Sequence, residues 1–215
     1  MVSNLSNAQG LRLGYYHKTC PNAESIIRKA TYRVISRVPT LVAPLLRLHF
    51  HDCFVRVILL NSTKTNVAER DAIPNLSLRG FNVIDAAKAE VEEECPGVVS
   101  CADIVVLVAR DSVSMIHGPY WEVPLGRRDG RVSILNQVFA ELPAPFDNIT
   151  QLRQMFAAKG LNMKDLAVLS GTLGFLVWAD QTSSSSVGES FNPSPCLSHA
   201  PLIQFPNSTP SIPNP

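Results

Sequence analysis

The chain has 215 residues, 46% of them hydrophobic and 17% charged, with a formal net charge of +1. This is the composition of a globular chain with a real core, long enough for one good-sized domain plus a tail. The near-neutral balance argues against a nucleic-acid partner, and no segment reads as a transmembrane span.

Residues 1–10 open the chain as Met1-Val2-Ser3-Asn4-Leu5-Ser6-Asn7-Ala8-Gln9-Gly10. A basic n-region and a long apolar stretch are both lacking, so they read as a signal-peptide remnant or a disordered N-terminus. After Pro21, the polar start residues Asn22 to Ser25 and the apolar repeat Ile26, Ile27, Ala30 and Val34 predict a helix over 21–38. A second helix is expected over 41–54. Residues 56–79 read as loop, punctuated by Asn61-Ser62-Thr63 and Pro74-Asn75. Phe81, Val83, Ile84, Ala87 and Val91 predict a helix from Phe81 to Glu94 that stops at Pro96. Val98 to Val113 is another, with the acid Asp103 inside an apolar run; Gly118-Pro119 ends it. Leu125 to Arg131 reads as a charged turn. Asp147 to Gly160 and Asn162 to Leu169 read as two more helices, with Gly160 as a C-cap. From about residue 175 periodicity fails in a serine run and a crowd of prolines, which predicts a disordered tail. The fold class expected is all-α.

The densest chemistry lies in Arg47-Leu48-His49-Phe50-His51-Asp52-Cys53-Phe54-Val55. On a helix, Arg47 and His51 are four residues apart and share a face. One small substrate then meets an imidazole that moves a proton and a cation that stabilises a developing anion. That pairing suits cleavage of a polar O–O bond, given a metal to receive the oxygen. His49 points about 200° away from His51 and is read as packing; His17 and His117 fall in turns and are read as solvated. A metal cluster of His49, His51 and Cys53 is the third alternative, but its alternating spacing suits a strand better than a helix.

Five cysteines (Cys20, Cys53, Cys95, Cys101 and Cys196) leave at least one thiol without a partner inside the chain. Sequons at Asn61, Asn148 and Asn207 are compatible with secretion, and Asn75 with Ser77 forms another.

Arg47 to Val55, Val98 to Ile104 and Leu125 to Gly130, with Tyr16 to Pro21 and Pro74 to Phe81, together resemble the secretory plant (class III) haem peroxidases. The resemblance runs over residues 11–171, as a partial peroxidase-like helical domain, and leaves 172–215 as a divergent tail. It implies the distal portion of that family's helical fold, haem b and calcium as cofactors, hydrogen peroxide and small phenolic donors as partners, and a secreted, extracellular or vacuolar location. His51 is similar to the distal histidine, Arg47 to the distal arginine, and Asn75 to the asparagine that orients the imidazole. Phe50 matches the residue that walls the haem pocket, and Pro143 the proline of the aromatic-donor site. Asp52, the Val55 carbonyl and Glu69 match distal calcium positions. The resemblance also implies a Cys20–Cys95 disulfide and a buried Asp103–Arg127 ion pair.

Two departures qualify this. About five residues are missing after Arg56, including the partner of Cys53 and three calcium ligands, so Cys53 is expected to be a free thiol. Asp52, Val55 and Glu69 are then a thin shell for a cation that prefers six to eight oxygens. Further on, Leu173 stands where the family has its iron-ligating histidine, and leucine cannot coordinate iron. The proximal helices and the partner of Cys101 are expected to be missing, and the tail reads as frameshifted or alternatively spliced. The expected function is a haem-dependent peroxidase by family, with activity lost or severely reduced; the alternative is a non-catalytic, haem-free relative. The chain is expected to be a monomer or prone to aggregation, because helices without their neighbours expose apolar faces.

Overall fold

A computed structural model of the chain describes residues 10–55, 57–167 and 169–170. Their architecture is helical: α1 (Ala23–Ile35), α2 (Val42–Val55), α3 (Phe81–Glu94), α4 (Cys101–Met115), α5 (Leu135–Glu141) and α6 (Ile149–Ala158). Short 3-10 turns lie at Pro39–Leu41, Glu69–Asp71 and Ile73–Asn75. One isolated antiparallel bridge joins Arg12 to Leu125.

α4 is the centre. Every residue from Asp103 to Ser112 is buried, the apolar run Ile104 to Ala109 with neighbours all round and Asp103, Arg110, Asp111 and Ser112 as buried polar groups. α1 and α3 cover one side of it and α2 another, while α5 closes on α2. α1 buries Ala23, Ile27, Ala30 and Thr31, an i, i+4, i+7, i+8 stripe. α2 carries Pro44 in its first turn, where no intrahelical N–H is required. Gly80, at φ +96, brings the backbone so close to Leu45 before α3 that an added Cβ would sit 2.6 Å from that side chain.

A disulfide and several polar contacts fix the helices. The Cys20–Cys95 disulfide, with Cα atoms 5.8 Å apart, ties the start of α1 to the end of α3, and the Asn22 amide donates to Glu94 across the same junction at 2.7 Å. Ser100 caps α4 by accepting from the Asp103 N–H. The Asp129 carboxylate accepts from the Cys101 and Ala102 N–H groups at 3.1 and 2.9 Å, placing negative charge at the positive end of the helix. At the far end of α2, Lys159 donates to the Phe54 carbonyl at 2.7 Å and pairs with Glu141.

The implied disulfide and ion pair are present. Asp103 is fully buried and meets Arg127 at 3.0 Å. The same carboxylate accepts from the Tyr16 hydroxyl at 2.7 Å, the Gly126 N–H at 2.7 Å and the Arg127 N–H at 3.3 Å. The acid inside the apolar helix is therefore a clamp on the segment 124–127. Cys53 is a free, exposed thiol, as expected, whereas Cys101 is disulfide-bonded, against the expectation that its partner is missing. α5 is an addition: residues 135–141 carried no helix in the sequence reading. Residues 163–167 are helical, and α4 runs two residues beyond the expected Val113. The expected tail over 172–215 lies outside the described residues, as does the expected N-terminal remnant except Gly10.

Candidate active site

The site is one face of α2 clamped by one loop. His51 is buried, and its Nδ1 lies 2.7 Å from the Asn75 Oδ1. Asn75, in the 3-10 turn Ile73–Asn75, donates its own Nδ2 to the Glu69 carbonyl at 2.7 Å. Because the amide nitrogen is used as a donor, Oδ1 is the acceptor. His51 must therefore carry its proton on Nδ1, which leaves Nε2 as the basic nitrogen. Burial pushes the His51 pKa down to about 4; the Asn75 bond opposes this and the Arg47 charge adds to it. The imidazole is neutral at physiological pH.

Arg47, one turn earlier on α2, donates to the Ser77 hydroxyl at 2.8 Å and approaches the Pro74 carbonyl at 3.5 Å. Residues 74–77 thus hold both His51 and Arg47. This also decides the Asn75 sequon. Asn75 is 2% exposed with both ends of its amide engaged, which leaves no room for a glycan.

Behind Asn75 stands Glu69, fully buried. Its carboxylate accepts from the Val57 N–H at 3.1 Å and the Ile134 N–H at 3.4 Å, and its own N–H donates to the Ser133 hydroxyl at 2.8 Å. Burial raises the Glu69 pKa. Ser133 in turn donates to the Val57 carbonyl at 3.3 Å. Glu69 therefore joins the loop after α2 to the segment leading into α5, and fixes the carbonyl that orients Asn75. Phe50 stacks edge-on to His51 with centroids 6.1 Å apart and continues into Phe54 and Phe156, an aromatic row beside the imidazole.

The remaining expected residues are placed as follows. Asp52 is half-buried; burial, then the charges of Asp129 and Glu69, raise its pKa to about 7, and it accepts from the Ile58 N–H. Val55 is buried at the end of α2. Among the described residues, no group of three or more His, Cys, Asp or Glu side chains gathers to hold a metal. Pro143 lies in the connection between α5 and α6. Leu173 lies outside the described residues. His17 and His117 are exposed, as read. The sequence reading missed Ser77 and Ser133, whose roles depend on contacts 30 and 64 residues away along the chain. It also missed Asp129 as the cap of α4.

A helical fold that buries a neutral, carboxamide-oriented histidine one turn from an arginine is consistent with the helical peroxidase class. The chain belongs to the peroxidase family, in its plant branch: the family model for peroxidases matches residues 27–186, and the relatives are plant enzymes. It is 58% identical to Peroxidase 1 of Arabidopsis thaliana over 167 residues, covering 76% of this chain and 51% of that protein. Against Peroxidase 27 of the same plant it is 55% identical over 170 residues, 77% of this chain and 52% of the relative. Against Peroxidase 1 of Oryza sativa subsp. japonica it is 54% identical over 160 residues, 73% and 49%. The chain spans about half the length of the curated relatives it matches.

Proposed function

We propose that this chain keeps the proton-handling half of a hydrogen-peroxide oxidoreductase site, and that haem-dependent oxidation of small phenolic donors is absent or severely reduced in it. The observation that supports this reading is the His51–Asn75–Glu69 chain of hydrogen bonds. It presents Nε2 as a neutral base able to take a proton from peroxide. Arg47, on the same face of α2, supplies positive charge for the anion that forms.

The haem implied by the family fits on one side only. Buried Phe50 and His51, with Arg47 beside them, suit a flat ring lying against α2. Haem iron also needs an axial donor. The family's motif places Leu173 there, and a leucine side chain has no lone pair to offer. The residue at that position does not fit haem iron. For calcium, the family positions are Asp52, the Val55 carbonyl and Glu69. The carboxylates of Asp52 and Glu69 already accept backbone N–H groups from Ile58, Val57 and Ile134. We read calcium retention as weak. Pro143 is assigned to the donor-binding edge by its family position. A secreted, extracellular or vacuolar location follows from the family, and the Cys20–Cys95 disulfide agrees with an oxidising compartment. Among the described residues no helix is long and apolar enough to cross a membrane.

The second reading, a haem-free and non-catalytic relative, rests on Leu173. Adding haem to the purified chain and recording the visible spectrum, then adding peroxide and a phenolic donor, separates loss of activity from a working haem enzyme. The expected result is no specific Soret band and no turnover. A Soret band with turnover that disappears in His51→Ala would show that another residue holds the iron and that the enzyme is active.

A further inference from the structure

Three sequons lie among the described residues: Asn61-Ser62-Thr63, Asn75-Leu76-Ser77 and Asn148-Ile149-Thr150. Those at Asn4 and Asn207 lie outside them. A glycan acceptor needs a reachable asparagine Nδ2 and a reachable hydroxyl two residues on. The fold supplies these unequally. Asn75 is buried, its Nδ2 donates to the Glu69 carbonyl, and the Ser77 hydroxyl accepts from Arg47. Asn61 is half-buried with its Oδ1 on Arg70, and the Thr63 hydroxyl accepts from the Thr65 and Asn66 N–H groups within its own turn. Asn148 and Thr150, at the start of α6, are both exposed.

We propose that Asn148 is the N-glycosylation site among these three, carrying an oligosaccharide on Nδ2. The proposal rests on the secreted location inferred above.

The local geometry favours it. Asn148 Oδ1 accepts from the Thr150 and Gln151 N–H groups at 3.0 Å each, and the Gln151 side chain accepts from the Asn148 N–H at 3.0 Å. None of these bonds uses Asn148 Nδ2 or the Thr150 hydroxyl, the two groups that the modification requires. In the transfer, Nδ2 bonds to C1 of a sugar carried on a lipid pyrophosphate. The bond from C1 to the pyrophosphate oxygen breaks, its electron pair leaves with the pyrophosphate, and one Nδ2 proton is lost. The product is still an amide with the same carbonyl oxygen, so the modified residue keeps both acceptor bonds and the α6 cap. The acceptor is flanked by Phe146 and Ile149, apolar side chains 87% and 58% exposed. A bulky polar glycan between them shields apolar surface that the chain otherwise presents to water.

The full chain would be expressed behind a supplied cleavable leader in eukaryotic secretory cells. Soluble chain recovered from the lumen or the medium would be treated with peptide N-glycosidase in heavy-oxygen water, which turns a glycosylated asparagine into labelled aspartate. Tandem mass spectrometry should find the label at Asn148 and none at Asn75. Thr150→Ala leaves the Asn148 cap in place; it should abolish the label at position 148 without lowering Tm. An unlabelled Asn148 would overturn the proposal, and so would label at Asn75 in soluble chain. Label that persists at position 148 in Thr150→Ala would show spontaneous deamidation and overturn it too. Because the leader is supplied, these outcomes report on the site and not on the chain's native compartment.

Discussion

The imidazole of His51 and the carboxamide of Asn75 are 24 residues apart in the chain and 2.7 Å apart in the fold, and the bond between them has a fixed direction. Asn75 gives its N–H to the Glu69 carbonyl, so only its oxygen is left to face the ring. A buried neutral base with a defined tautomer results, and its electrostatic consequences are measurable without any cofactor.

The His51 pKa lies at about 4 in the fold against 6.5 ordinarily. Between those values the unfolded chain binds more protons than the folded one. The residue's contribution to stability is therefore complete above pH 6.5, shrinks as pH falls, and is lost below about 4. Its size is on the order of 3 kcal/mol. Asp52 works in the opposite sense: its pKa is raised to about 7, so its contribution is present in acid and is lost as pH rises through that value. Subtracting the pH–stability curve of His51→Gln from that of the native chain isolates the imidazole. A flat difference between pH 7 and 4 would falsify this assignment.

Replacing Asn75 by leucine leaves the buried His51 Nδ1–H without its partner and removes one of two donors from the Glu69 carbonyl, which keeps the Ala72 N–H at 3.1 Å. A loss of about 1–3 kcal/mol is expected from urea denaturation. Asn75→Asp keeps an acceptor and adds negative charge beside the ring, so it should raise the His51 pKa. Imidazole titration followed by NMR checks this; a pKa left at the native value would mean that the two side chains do not meet in solution.

Asp103 holds Tyr16, Gly126 and Arg127 through four hydrogen bonds while fully buried. Asp103→Ala should cost about 3–5 kcal/mol, because Arg127 and the backbone donors lose their acceptor. Amide hydrogen exchange at Gly126 and Arg127 should accelerate selectively. Exchange that speeds up uniformly across α1 and α3 instead would argue for general unfolding rather than release of this clamp.

The Cys20–Cys95 bond closes a separation of 75 residues. By chain entropy it contributes roughly 4–5 kcal/mol. At roughly 2–4 °C per kcal/mol for a chain of this size, Cys95→Ser should lower Tm by about 8–20 °C. Calorimetry showing a shift of under about 3 °C would place the stabilisation elsewhere.

Much of this molecule is visible in the chain alone. Apolar spacing locates α1 to α4 and α6 because helix faces are set by a local period, and the sharpest case is Phe81–Glu94, whose bounds coincide with those observed. α5 was missed. It is seven residues long and has no side-chain cap at Ile134. The signal that could have found it is the spacing of Leu135, Val138, Phe139 and Leu142, at i, i+3, i+4 and i+7. Family motifs named His51, Arg47, Asn75 and the Asp103–Arg127 pair, since each stands inside a long recognisable run; the Tyr16 and Gly126 bonds to Asp103 came only with the fold.

What the sequence determined by itself was composition, helical periodicity and the identity of reactive side chains, all of which are local. The tertiary structure alone decided which of them meet. It turned Arg47 onto Ser77, brought Ser133 under Glu69, and set Asp129 on the first turn of α4. It also separated His51 from the His49–Cys53 pair by opposite faces of one helix. Such contacts join segments tens of residues apart, and their geometry follows from how buried helices pack. No local pattern of residues encodes that packing.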